Sequence, residues 1–183
     1  MTIDAKAAAA ALSEIDDIAR RVRQSLTYQR ASLMMILWGA LTLVGHLITF
    51  AWPRYADASW IAIYVVGTGG SFLISTVTAP RTGVRSFDHR AVAAFVLFIA
   101  FGTFACWLGH FGPRETGTFW PLYFMLAYVI VGLWVGNVFV AIGLTTAALT
   151  LIGYAYLGPW FELWMAAVNG GGLMLGGLWM RRS

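Results

Sequence analysis

Apolar residues fill six long runs of this chain, and the charged residues stand in the gaps between them. The runs cover residues 33–52, 60–78, 91–110, 119–136, 138–157 and 160–180. Each approaches the ~20 apolar residues an α-helix needs to cross the hydrocarbon core of a bilayer. The pattern predicts an all-α fold, a polytopic membrane bundle of six transmembrane helices over residues 31–183. A cytoplasmic amphipathic helix in residues 1–30 precedes it.

That first segment has its own periodicity. Leu12, Ile15, Ala19, Val22 and Leu26 recur at alternating steps of three and four, a seam of about two heptads. Ser13 is a candidate N-cap, with Asp16 three residues on. Glu14, Asp16 and Asp17 come early and Arg20, Arg21 and Arg23 late, the order the helix dipole favours. Something has to cover the apolar stripe. The candidates are lipid headgroups, which the arginines would suit, a partner helix from another membrane subunit or a second copy, or the underside of the bundle itself.

The connections are short. Residues 53–59 and 112–118 read as loops on one side of the membrane, and residues 79–90, with Pro80, as a loop on the other. Gly136-Asn137 and Gly158-Pro159 read as tight turns. Such connections predict an up-down bundle of neighbouring spans. Orientation follows from the basic residues. Lys6, Arg20, Arg21, Arg23, Arg30, Arg81, Arg85, Arg90, Arg181 and Arg182 share one side under a six-span count, and only Arg54 and Arg114 face the other. The positive-inside rule puts both termini in the cytoplasm.

Composition sharpens this picture. The chain of 183 residues is 60% hydrophobic and 11% charged, against roughly 25% charged in soluble domains. Spans and short loops leave no length for a soluble catalytic domain. The net charge of +4 comes from the flanking arginines, and no nucleic-acid partner is expected. The lone Cys106 excludes an intrachain disulfide. The N-terminus does not read as a cleaved signal peptide. Abundant alanine and glycine with little lysine suggest a bacterial inner (cytoplasmic) membrane.

Small residues predict where helices meet, because lipid is as apolar as leucine and packing inside the bilayer relies on close approach and hydrogen bonds. Such positions are Gly39, Gly67, Ser71, Gly132, Gly136, Gly172 and Gly176. The run Asn169-Gly170-Gly171-Gly172 weakens a helix by about 1 kcal/mol per glycine. It implies either a second backbone passing very close or a local break in the last span.

Candidate chemistry is sparse. There is no HExxH, CxxC, GxSxG or phosphate-binding glycine loop. His46 lies inside the first run, Thr146 in the fifth, and Asn169 and Glu162 in the last. An ionisable group at such depth is a functional candidate, and these four residues could line a polar path. His46 with His110 is the minimum for haem ligation, as in a haem-binding redox membrane subunit, or part of a metal site; no cofactor is predicted. The leading expectation is an accessory, scaffold or sensory membrane protein that binds other chains through helix–helix contacts. A small oligomeric transporter or channel is the alternative, and an intramembrane enzyme comes last.

The six-span reading has a direct check. A fluorescent protein fused after Ser183 should mature in the cytoplasm and an alkaline phosphatase fused there should stay inactive. The opposite pair of results would overturn the cytoplasmic placement of the C-terminus.

Overall fold

The computed structural model describes residues 5–78 and 89–181, and every element in them is helical. The side chains of residues 5–11, 16, 17, 19–27, 89 and 91 lie outside that description. So do residues 79–88, with the expected stop at Pro80.

Helix α1 runs from Ala5 to Ala51 without a break. The expected junction between an amphipathic segment ending near residue 30 and a first span is therefore continuous helix. Nothing in residues 27–33 can stop it, since proline and glycine are both missing there. At 1.5 Å per residue α1 is about 70 Å long. A short 3-10 turn, Pro53–Tyr55, leads into α2, Ala56–Val77. Helix α3 covers His89–Leu108, α4 Pro113–Val135 and α5 Asn137–Tyr156. A 3-10 turn at Gly158–Trp160 leads into α6, Phe161–Met165. A π-helical segment, Ala166–Gly171, joins α6 to α7, Gly172–Met180.

Four stretches are long and apolar enough to span a membrane: Tyr28–Ala51, Pro53–Val77, Pro113–Val135 and Asn137–Tyr156. In α3 the apolar helix Val92–Leu108 is shorter, and the last apolar run is divided by the π segment.

The turns follow from local chemistry. Gly136 sits at φ 154° and ψ 151°, a conformation only glycine adopts readily, and it alone separates α4 from α5. Its role is this turn, not the helix packing expected of it. The expected loop at 112–118 is mostly helix. Gly112 is extended, Pro113 takes the first helical position, where its missing N–H costs nothing, and α4 starts there. The Arg114 guanidinium donates to the Tyr154 carbonyl at 2.7 Å and pins that first turn to α5.

Helix α1 is central. It packs on α2 along one side and on α6, the π segment and α7 along the other; α5 lies against α6 and α7, α4 against α5, and α3 against α4. A core of Met35, Met125, Phe139, Ile142, Leu173 and Met180 joins α1, α4, α5 and α7. Helix α2 is stitched to α1 by polar contacts. Trp38 donates to Ser71 at 3.0 Å and Trp60 to Thr49 at 3.1 Å. The Arg30 guanidinium donates to the Thr78 carbonyl at 2.6 Å, capping the C-terminal end of α2. Helix α3 leans on α4 through the stacked rings of Phe98 and Tyr123, 4.0 Å between centroids. Outward faces of α2 and α3 are apolar and open, with Ile61, Val65, Phe72, Leu97 and Phe101 all more than 60% exposed.

The glycines sort by contact. Gly67 lies under the Trp38 ring, Gly132 against the backbone of Val140, and Gly176 against Met35 and Ile142. A Cβ on Gly39 would stand 2.8 Å from the Gly170 carbonyl oxygen, and one on Gly170 would stand 2.6 Å from Leu43 Cα. At Gly172 a Cβ would meet nothing within 4 Å. The packing position expected at Gly172 is therefore taken by Gly170.

These placements predict opposite outcomes for neighbouring glycines. Gly170→Ala should cost about 1–3 kcal/mol by overpacking. Gly172→Ala should cost nothing and gain up to about 1 kcal/mol in helix propensity. Thermal unfolding in mild detergent measures both.

Candidate functional site

The buried polar centre of the molecule lies near the Ala51 end of α1. His46 is five residues from that end, about 8 Å along the axis at 1.5 Å per residue. Its position one turn beyond Leu43 turns it towards α6, where Glu162 occupies the first turn. The His46 Nδ1 and a Glu162 carboxylate oxygen are 2.8 Å apart. His46 is buried, its side chain 4% exposed, while that of Glu162 is 25% exposed. With the carboxylate ionised, the Nδ1 proton is donated to it. Glu162 therefore makes no cap at the start of α6; its side chain reaches across to α1.

Aromatic rings close the site. Trp60 of α2 stands edge-on to His46, 5.1 Å between centroids at 78°. Thr49 accepts the Trp60 indole proton and itself donates to the Gly45 carbonyl at 2.9 Å. Gly45 leaves room for the indole, whose ring carbons would lie 3.1 Å from a Cβ there. Phe50 and Trp160 stack nearby at 6.0 Å.

The other candidates lie apart from this pair. Asn169 is buried in the π segment, and its amide nitrogen contacts the Met165 sulfur at 3.9 Å. Its polar contact is not with His46 or Glu162. Thr146 is buried on α5. His110 is exposed just past the end of α3 at φ 49°, a left-handed turn residue. The two histidines proposed for haem thus occupy different settings, one buried against α6 and the other exposed. Among the described residues, no three His, Cys, Asp or Glu side chains gather as metal ligands would.

Of the N-terminal seam, Leu12 and Ile15 are exposed, as is Ile18. Ala19, Val22, Leu26, Arg20, Arg21 and Arg23 lie on α1, with side chains outside the described set.

Sequence reading missed Ser32 and the part played by Trp60. Ser32 is fully buried and donates to the Gly177 carbonyl at 2.6 Å. The signal was present: Ser32, Gly39 and His46 are spaced by sevens on one face of α1. Eight of the nine tryptophans, all but Trp120, also divide into two sets. Trp52, Trp107, Trp134, Trp160 and Trp179 are at least half exposed near helix ends, as in an interfacial belt. Trp38, Trp60 and Trp164 are partly buried and donate to Ser71, Thr49 and the Leu149 carbonyl.

A histidine–carboxylate pair in a water-poor site can share a proton, hold the ring in one tautomer, or lock two helices together. The molecule is a helical bundle with four membrane-length helices and one such pair between its first and last apolar segments. No protein-family model matches the chain, and no curated protein or solved structure is similar to it.

The pair's contribution can be isolated in a double-mutant cycle of His46→Phe and Glu162→Leu. A coupling energy of about 1–2 kcal/mol is expected from detergent unfolding, the upper range for polar contacts between membrane helices. A coupling near zero would mean that the two side chains are merely adjacent.

Proposed function

We propose that this chain is an integral membrane protein of six spans, with both termini on the cytoplasmic side. It works as an accessory, scaffold or sensory subunit by pairing its N-terminal helix with another chain. The observation that carries this reading is the unbroken α1. Its first 23 residues, Ala5 to Thr27, precede the membrane-length stretch Tyr28–Ala51 and extend the rod by about 35 Å. Leu12, Ile15 and Ile18 on that extension are 55–64% exposed. An apolar stripe on a helix that projects from the bilayer, instead of lying on it, calls for a protein partner more than for headgroups. The same helix carries His46 near its other end, so the buried pair and the projecting seam lie on one continuous element.

A polar path past His46 and Asn169 is the weaker reading, since Asn169 bonds within its own helix. The projecting helix supports interaction directly.

Native mass in mild detergent tests the proposal. The full chain should run above the 20.0 kDa of a single copy, and Leu12→Glu/Ile15→Glu/Ile18→Glu should reduce it to that value with the bundle folded. A single-chain mass for the parent, or an unchanged mass for the triple variant, would rule the reading out.

A further inference from the structure

The contacts between α1 and the last apolar run follow a seven-residue step on one partner and break it on the other. On α1 they fall at Ser32, Gly39 and His46, seven residues apart each time. Their partners are Gly177, Gly170 and Glu162. Gly177 to Gly170 is also seven residues, but Gly170 to Glu162 is eight. Two packed α-helices hold a common seam by a seven-residue repeat. In a regular helix the surplus residue would turn Glu162 about 100° off the seam, at 3.6 residues per turn. Here the surplus falls in the interval that holds the π segment, Ala166–Gly171. A π turn, bonded i→i+5, takes up one residue more than an α turn.

We propose that the π segment and the His46–Glu162 bond form a single register switch. In the π winding Glu162 faces His46. In an all-α winding Leu163, seven residues from Gly170, takes that place, and Glu162 turns away by about 100°. Ser32–Gly177 lies beyond the π segment and keeps its register in both windings, while Gly39–Gly170 falls near that segment's C-terminal end, so the rotation falls on α6 and the turn that joins it to Gly170. Two features permit it. A Cβ at Gly171 or Gly172 would meet nothing within 4 Å, so no neighbour presses on the π segment's C-terminal end at these two positions. Gly158, at φ 35° in open space, is a swivel at the far end of α6. The bond selects the π winding, and its loss releases the helix. This inference stands on the α1 seam alone and does not depend on what the N-terminal helix binds.

Disulfide trapping in the full-length chain, in bilayers and with Cys106→Ala, tests it. His46→Cys/Glu162→Cys and His46→Cys/Leu163→Cys both lack the bond. The released winding should give a disulfide yield several-fold higher for the second protein than for the first. An equal or higher yield for the first would overturn the switch, because the π winding would then persist without the bond. Should neither protein cross-link, Glu162→Leu/Leu163→Glu decides. Recovery of at least half of the Tm lost in Glu162→Leu supports the switch, and no recovery overturns it.

Discussion

The close approach of α1 to the last apolar run is the constraint from which the rest of this bundle follows. Inside a bilayer no hydrophobic gain comes from bringing two apolar helices together, so contact has to come from packing and hydrogen bonds. Here both are concentrated on one seam. Gly39 and Gly170 have no side chain and let the backbones touch. Ser32 bonds the Gly177 carbonyl on one side of that point, and His46 bonds Glu162 on the other. With this seam set, α5 settles against α6 and α7, α4 folds back on α5 through the one-residue turn at Gly136, and α2 folds back on α1.

Most other polar groups in the apolar segments are spent locally. Thr42, Thr49, Thr103 and Thr118 each donate to a carbonyl four residues back in their own helix. Such back-bonding satisfies the hydroxyl without tying helices together. A count of polar residues per span therefore overstates the number of interhelical links. The links that do cross between helices use long or aromatic side chains: Arg30, Trp38, Trp60, Arg114, Tyr123 and Trp164. Thr150 is fully buried with no partner for its hydroxyl. It lies on α5, and nothing in its surroundings explains it.

The periphery is built on a different principle. Helices α2 and α3 each lean on one neighbour and present wide apolar faces. A bilayer would cover those faces at no cost, whereas the exposed stripe at Leu12, Ile15 and Ile18 lies beyond the apolar stretch that lipid would cover.

The sequence by itself determined the helical class, four of the membrane-length apolar segments, and the turns at Gly136 and Gly158-Pro159. Hydropathy and glycine conformation are properties of short windows and need no knowledge of neighbours. It also singled out His46 and Glu162, grouped with Thr146 and Asn169 as residues that could line a polar path. Tertiary structure decided that they meet, that Gly170 and not Gly172 is the point of contact, that α1 runs on without a junction, and that α4 begins at Pro113. The physical reason is phase. Which residue of the last apolar run faces α1 depends on one surplus residue wound into a π turn, and that turn has the same composition and hydropathy as the regular helix it replaces. Only the partner helix, with its contacts spaced by sevens, makes the difference between the two windings count.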